Sequence, residues 1–184
     1  MLALGTTLPS FSLRDLDGKT VTDGDFPDAP ALVVAFICPH CPYVKHVRQA
    51  FVQFATDYER NKVAIVAINS NDAQAFPDDD PAGMRREASA AGFTFPYLYD
   101  EGQEVAKAFR AACTPDFFVF DRDRRLAYRG QFDGSRPKSE TPVTGVDLRA
   151  ALDAILAGGA PSSAQRPSVG CSIKWKPQNA PSYA

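Results

Sequence analysis

The alternation of hydrophobic and polar positions predicts a strand, a helix and a second strand near the start of the chain. Residues 31–37 and 63–68 are continuous apolar runs, which are typical of strands buried on both faces. Between them, apolar side chains recur every three or four positions and predict a helix with one buried face. These side chains are Val44, Val47, Phe51, Phe54 and Tyr58. This order makes a βαβ unit with a right-handed crossover.

Shorter apolar segments predict further strands on both sides of this unit. Asp17-Gly18 is a strong two-residue turn signal and predicts that the chain opens with a hairpin. A charged turn separates another pair of segments and predicts a second hairpin. The predicted strands outside the unit are residues 11–13, 20–21, 95–99, 117–120 and 126–129.

Helix-start signals predict three more helices. Asp80 is a candidate N-cap followed by Pro81, and Gly92 is placed to end that helix. The other two helices begin at predicted capping boxes, which are Asp100 with Gln103 and Thr144 with Asp147. Together the elements predict an α/β fold in which helices flank a mixed central sheet.

The composition changes near the C-terminus. Residues 158–168 are rich in Gly, Pro, Ser and Ala, as in a linker. We therefore predict one domain over residues 1–157, followed by a linker and a C-terminal tail over residues 158–184. Within this tail, Ile173 and Trp175 alternate with polar residues, which predicts a short strand.

Size and charge exclude several classes of protein. The 184 residues suffice for one core, and 20 basic against 22 acidic residues give a net charge of −2. A general nucleic-acid binder normally carries a basic excess, so we expect no nucleic-acid partner. The longest apolar run is too short to span a bilayer, and the first ten residues lack signal-peptide features. We expect a cytoplasmic protein without a membrane partner; its oligomeric state is left open.

Four cysteines are too few for a disulfide scaffold in a chain of this size. Cys38 and Cys41 form a C-x-x-C pair, Cys113 comes shortly before a proline, and Cys171 lies in the tail. In a cytosolic protein, such a pair is more often redox-active or metal-binding than structural. The placement of the cysteines therefore points to thiol chemistry.

The pair follows a predicted buried strand. Pro39 suits the first turn of a helix, so we expect the sulfur of Cys38 at the helix N-terminus, where amides favour its thiolate. His40 adds a candidate cation beside it and should make the pair more oxidising. Cys41 lies about one turn further on. We therefore predict that Cys38 attacks a disulfide and Cys41 resolves the mixed disulfide.

Metal binding is the main alternative use of these side chains. A zinc site would need two more ligands, which Cys113 and His40 could supply, but no second C-x-x-C occurs in the chain. Thiolates with an imidazole could instead hold Cu(I). The acidic run 78–80 suggests a cation site or, more simply, a loop that caps a helix. We predict no metal and no other cofactor.

The order of motifs resembles that of known redox proteins. A C-x-x-C at a strand-to-helix junction, followed by Thr114, Pro115 and the strand 117–120, resembles the thioredoxin fold. Residues 8–13 and 95–100 resemble redoxins related to the alkyl hydroperoxide reductase/thiol-specific antioxidant proteins. We therefore expect a thioredoxin-like fold with an N-terminal hairpin and a C-terminal tail.

Two segments that are far apart in the sequence together give a narrower resemblance. Residues 38–46 together with residues 170–177 resemble a thioredoxin-like, peroxiredoxin-like subgroup. The resemblance implies that Pro115 is a cis-proline facing the cysteine pair. It also implies that Thr114 offers its backbone to a bound substrate strand.

Three features depart from the best-known members of these families. The pair encloses Pro39 and His40, as in the oxidase DsbA, whereas ordinary thioredoxin has Gly-Pro. No acidic residue lies between Pro30 and Cys38, so the buried carboxylate of thioredoxin is missing from its usual strand. The residues before Cys38 also lack the Pro-x-x-x-Thr/Ser-x-x-Cys motif of peroxiredoxins.

These observations predict a thiol–disulfide oxidoreductase that cycles Cys38 and Cys41. Its expected partners are a disulfide-containing protein or a small thiol substrate, and a thiol electron donor. One alternative is a thiol peroxidase in which Cys38 attacks peroxide and Cys41 resolves; another is copper handling. Cys171 is a candidate third redox thiol, unless the tail merely packs through Trp175.

Overall fold

The computed structural model describes residues 2–183. Short extended segments alternate with four helices over this part of the chain. The strands in chain order are β1 (Ser12–Asp15), β2 (Thr20–Thr22), β3 (Leu32–Phe36), β4 (Ala64–Asn69), β5 (Tyr97–Tyr99), β6 (Cys113–Thr114), β7 (Asp116–Phe120), β8 (Leu126–Gly130) and β9 (Cys171–Ser172). The helices are α1 (Pro42–Glu59), α2 (Pro81–Ala91), α3 (Glu104–Phe109) and α4 (Val146–Leu156).

Seven of the strands form one mixed sheet in the order β2-β1-β5-β4-β3-β7-β8. β3, β4 and β5 are parallel neighbours, whereas β7 pairs antiparallel with β3 and β8 pairs antiparallel with β7. β1 and β2 form the predicted N-terminal hairpin. The predicted mixed central sheet is confirmed. β6 and β9 form a separate antiparallel pair beside it.

Two hydrophobic cores cover the two faces of the sheet. Successive side chains of β3 point to opposite faces, so Val33 and Ala35 join one core while Val34 and Phe36 join the other. The first core contains the buried faces of α1 and α4, and the second contains those of α3. The predicted apolar stripe of α1 is buried along its whole length. Within residues 2–183, no helix is long and apolar enough to cross a membrane.

The helix ends test the capping predictions. Asp80 caps α2, where its Oδ1 accepts a hydrogen bond of 2.6 Å from the amide of Gly83, and Gly92 ends the helix with a φ of 75°. Both predictions are confirmed. Neither predicted capping box forms, because the residues preceding α3 and α4 are Gln103 and Gly145 in left-handed conformation without a side-chain cap. The carboxylate of Asp100 nevertheless accepts a hydrogen bond of 2.9 Å from the amide of Ala106 in the first turn of α3.

Candidate active site

The cysteine pair lies in the connection between β3 and α1. Cys41 is the N-cap of α1 and Pro42 is its first residue, so the prediction that Pro39 opens the helix is wrong. Both prolines suit a first turn, but the helix begins at the second one, and residues 38–40 lie in the bend before it. Cys38 and Cys41 are both 0% exposed.

The sulfur of Cys41 is surrounded by hydrogen-bonding groups. The Cys41 thiol donates a hydrogen bond of 3.1 Å to the carbonyl oxygen of Thr114. A hydrogen bond from the Cys38 thiol lowers the pKa of Cys41, against the opposing effect of burial. The Thr114 side chain and the amides of Val44 and Cys171 lower this pKa further. In this geometry Cys41 is a thiol that donates to Thr114, and its lowered pKa makes it easier to ionise.

Cys38 has a different environment. Its sulfur lies 3.4 Å from Thr114 Oγ1 and 3.9 Å from His40 Nδ1. Its hydrogen bond to Cys41, its burial and the nearby charge of Asp79 raise the pKa of the Cys38 thiol. The predicted location of the Cys38 sulfur at the helix N-terminus is wrong, because α1 begins after Cys41; attack by Cys38 itself stays a prediction.

A buried carboxylate, Asp79, holds His40 beside the pair. Asp79 is 0% exposed, and its Oδ2 lies 2.5 Å from His40 Nδ1. The amide of His40 donates to Asp79 Oδ1 at 3.1 Å, and Asn71 Nδ2 donates to Asp79 Oδ2 at 2.7 Å. The His40 ring also stacks on Phe76, with centroids 5.2 Å apart. The imidazole is therefore fixed in position next to the sulfur of Cys38.

Sequence reasoning missed the role of Asp79. It treated the acidic run 78–80 as a cation site or a capping loop, and Asp80 does cap α2. Asp79 ends a short 3-10 turn, Pro77–Asp79, that the tertiary fold brings back to the cysteine pair. It supplies a buried carboxylate that is absent from β3. The acidic run was the visible sign of this carboxylate in the sequence. Its hydrogen-bond partner, His40, lies 39 residues away in the chain.

Thr114 contacts both sulfurs. The Thr114–Pro115 peptide bond is cis, as the resemblance implies. Thr114 Oγ1 faces Cys38, whereas its carbonyl oxygen faces Cys41. Binding of a substrate strand by Thr114 stays a prediction.

The other two cysteines lie on either side of this segment. Cys113 is partly buried, its Sγ is 3.7 Å from the carbonyl oxygen of Pro115, and burial raises its pKa. Cys171 packs against the core that contains the pair. Burial raises the pKa of Cys171 to about 11, and hydrogen bonding to Cys41 and the charge of Cys41 add to the rise.

The structure also tests which side chains could share a metal ion. Within residues 2–183, one group of three or more offers ligand atoms close together: Cys38, His40 and Asp79, with all three atoms within 4.8 Å of one another. Cys113, considered above as a zinc ligand, is not in this group. His40 Nδ1 already shares a hydrogen bond with Asp79, which a metal ion would have to replace.

Comparison with known families decides the classification of the chain. The sequence profile of the Redoxin family matches residues 3–145. The chain belongs to the Redoxin family. This membership confirms the resemblance drawn from the sequence motifs.

The redoxin also matches two named plant proteins. Peroxiredoxin Q, chloroplastic, of Populus jackii is 25% identical over 146 residues, which are 74% of this chain and 65% of that protein. The same protein of Suaeda salsa is 26% identical over 148 residues, or 74% and 64% of the two chains. The redoxin therefore spans slightly less than two thirds of the length of these relatives.

Solved structures share the whole fold. A hypothetical protein from Sinorhizobium meliloti 1021 is 52% identical, with a TM-score of 0.94 and 96% of each chain covered. An uncharacterized conserved protein from Geobacillus kaustophilus is 54% identical, with a TM-score of 0.94 and coverage of 97% and 95%. The thioredoxin domain of a thiol-disulfide oxidoreductase from Bacteroides vulgatus is 12% identical, with a TM-score of 0.63 over 81% of this redoxin and 97% of that chain. The thioredoxin-like fold is confirmed.

Asp116, a partly buried acid next to the cis-proline, should make the stability of this redoxin depend on pH. Burial raises the pKa of Asp116 to about 7, against hydrogen bonds from Ser168 and the amide of Ala112 and the charge of Arg129. The folded state therefore binds the proton more tightly than the unfolded chain. The free energy of unfolding should fall by a few kcal/mol as pH rises from about 4 to about 7, at about 1.4 kcal/mol per pKa unit.

Urea unfolding of the wild type and Asp116→Asn over this pH range checks the prediction. The amide of the variant keeps the shape of the carboxyl group but does not titrate, so its stability should change less with pH. If the free energy of unfolding changes with pH to the same extent in both proteins, the assignment to Asp116 is contradicted.

Proposed function

We propose that this redoxin is a thiol–disulfide oxidoreductase in which Cys38 and Cys41 exchange disulfides with a protein or a small thiol compound. The observation that carries the proposal is the location of both sulfurs against Thr114, directly before the cis-proline. A pair of thiols that share one stabilised thiolate is suited to attack on a disulfide. Membership of the Redoxin family and the shared fold support this type of chemistry.

In the first step, the thiolate of Cys41 attacks one sulfur of the substrate disulfide. A bond forms between Cys41 and that sulfur, the substrate S–S bond breaks, and the other substrate sulfur leaves as a thiolate. The lowered pKa of Cys41, to which the Cys38 thiol contributes most, makes this thiolate accessible at neutral pH. The product of this step is a mixed disulfide on Cys41.

In the second step, Cys38 resolves the mixed disulfide. Its thiol gives a proton to the carboxylate of Asp79, which lies within 4.8 Å of the sulfur and holds the His40 ring beside it. The resulting thiolate attacks Cys41, forms the Cys38–Cys41 disulfide and releases the remaining substrate sulfur. The pair loses two electrons and the substrate disulfide gains them. A thiol electron donor then reduces the pair again.

An insulin-reduction assay with a dithiol as electron donor tests the proposed function. The wild type should accelerate reduction of the insulin disulfides, and the double variant Cys38→Ser/Cys41→Ser should not. Cys113→Ser is the matched control, because it removes a thiol outside the pair and should keep the wild-type rate. Wild-type activity in the double variant would refute the proposal.

A thiol peroxidase is the second candidate, and similarity to the two peroxiredoxin Q proteins favours it. In that reaction a thiolate of the pair attacks the peroxide and the other cysteine resolves the product. Stopped-flow oxidation of the reduced protein separates the two candidates. Oxidation by hydrogen peroxide should be much slower than oxidation by a small disulfide; the opposite order would favour the peroxidase.

Copper handling stays an alternative because Cys38 and His40 lie together. Metal analysis of the purified, reduced protein tests it directly. A cytoplasmic location is proposed on the sequence argument alone.

A further inference from the structure

The C-terminal tail occupies the edge of the active site. We call residues 165–176 the docked tail. Its strand β9 pairs antiparallel with β6, so Cys171 lies opposite Thr114 and Ser172 lies opposite Cys113. β6 is the segment that directly precedes the cis-proline and contacts both sulfurs of the pair. The tail therefore uses backbone groups that an incoming substrate strand would need.

Gly170 brings the tail backbone into direct contact with this edge. A Cβ atom at Gly170 would lie 2.0 Å from the carbonyl oxygen of Thr114 and 3.1 Å from the nitrogen of Pro115. No side chain fits in that space without a shift of the backbone. The close approach of the tail thus depends on the absence of a side chain at this position.

The residues that follow β9 also hold the docked tail in place. Ile173 is 3% exposed in the second core, and its amide donates to the carbonyl oxygen of Ala112 at 3.1 Å. The amide of Lys174 donates to Asn71 Oδ1 at 2.8 Å, and its carbonyl oxygen accepts a bond of 2.9 Å from Gln103 Nε2. These bonds hold Cys171 in a defined position.

Cys171 lies beside Cys41. It is the strand partner of Thr114, whose carbonyl oxygen accepts a hydrogen bond of 3.1 Å from Cys41, and it packs against the core that contains Cys41. Cys171 is also partly exposed, whereas Cys38 and Cys41 are 0% exposed. Of these three thiols, Cys171 is the one that solvent reaches while the tail is docked.

We propose that Cys171 is a third redox thiol that takes the disulfide from the buried pair and presents it to the thiol electron donor. The sulfur of Cys171 attacks Cys41 in the Cys38–Cys41 disulfide. The bond between Cys38 and Cys41 breaks, the bond between Cys41 and Cys171 forms, and Cys38 leaves as a thiolate. This thiolate takes up the proton that Cys171 loses, so the exchange is balanced without an external oxidant.

The electron donor then acts on the tail. A donor thiolate attacks the sulfur of the partly exposed Cys171, and Cys41 leaves as a thiolate. A second donor thiol then attacks the donor sulfur bound to Cys171 and releases Cys171 as a thiol. The two donor thiols thereby become one disulfide. The proposal rests on the proposed function, which supplies the Cys38–Cys41 disulfide.

Disulfide mapping of the full-length protein tests the proposal. The reduced protein is oxidised with diamide, its free thiols are blocked with N-ethylmaleimide, and tryptic peptides are analysed by mass spectrometry without reduction. Trypsin separates residues 20–45, 111–122 and 150–174, which contain the pair, Cys113 and Cys171 respectively. A link between the first and the third peptide is expected in the wild type. In Cys38→Ser that link contains only Cys41 and Cys171.

Two glycine variants test the dependence on docking. Gly170→Ala should reduce the linked fraction by about tenfold or more, because the tail no longer holds its thiol at a high effective concentration beside Cys41. Gly134→Ala is the matched control, since a Cβ there meets nothing within 4 Å, and its linked fraction should equal that of the wild type. An equal linked fraction in Gly170→Ala and the wild type would overturn the docking argument.

The outcomes separate this proposal from the proposed function. If the wild type forms the Cys38–Cys41 disulfide while Cys171 carries N-ethylmaleimide in every oxidised sample, the third redox thiol is refuted and the proposed function stands. If the pair forms no disulfide and insulin reduction is absent, the proposed function fails first. A link between Cys113 and Cys171 in place of the Cys41 link would also refute the proposal.

Discussion

Cys38→Ser should trap the substrate on Cys41 as a mixed disulfide, whereas Cys41→Ser should lower disulfide reduction by about 100-fold or more. The reason lies in the start of α1. Cys41 is the N-cap of α1 and its pKa is lowered, so in the proposed function it provides the attacking thiolate. A serine hydroxyl at this position cannot replace a thiolate at neutral pH. In Cys38→Ser the attack still occurs, but resolution is lost.

Mass spectrometry after incubation with a disulfide-bonded peptide measures both results. Cys38→Ser should carry one peptide on Cys41, and Cys41→Ser should carry none. Cys113→Ser is the control that should release both thiols of the peptide, as the wild type does. If the peptide is instead trapped on Cys38 in Cys41→Ser, the attack belongs to Cys38, as the sequence alone predicted.

Phe51→Ala should lower the free energy of unfolding by about 3–5 kcal/mol, because it leaves a cavity in the first core. Phe51 lies on α1 and is 2% exposed. Its ring packs against Phe117, just after the cis-proline, with centroids 5.3 Å apart, and also against the rings of Phe54, Phe95 and Phe132. This aromatic cluster fixes the helix that begins at Cys41 against the strand that follows Pro115.

Urea unfolding of the variant and the wild type measures this loss. Gln53→Ala is the matched control on the same helix, because Gln53 is exposed and its side chain contacts Asp57 through one hydrogen bond of 2.8 Å. Its stability should change by less than about 0.5 kcal/mol. A loss below about 1 kcal/mol in Phe51→Ala would show that the core closes around the missing ring.

Much of the fold could be predicted because its signals are local. The apolar run 31–37 became β3, and the stripe from Val44 to Tyr58 became the buried face of α1. Asp80 and Gly92 act at the two ends of α2 as expected. In each case the residues that decide the structure lie within a few positions of one another, so the local sequence pattern is sufficient to predict the element.

The start of α1 shows where local signals failed. Pro39 and Pro42 both suit the first turn of a helix, and no local rule chooses between them. In the folded chain Cys41 lies against Thr114, and the helix begins after it. The place where the helix starts is therefore linked to a contact between residues 73 positions apart in the chain, which no local pattern can indicate.

By itself, the sequence determined the α/β class, the redoxin family and the pair of cysteines on which the proposed function rests, because these depend on periodicity and on motifs of a few residues. Only the tertiary structure decided the partners of that pair. It brings Asp79 to His40 and places Cys171 opposite Thr114, next to Cys41. Such contacts are set by the packing of distant segments against a common sheet, and side chains that meet in this way leave no spacing pattern in the sequence.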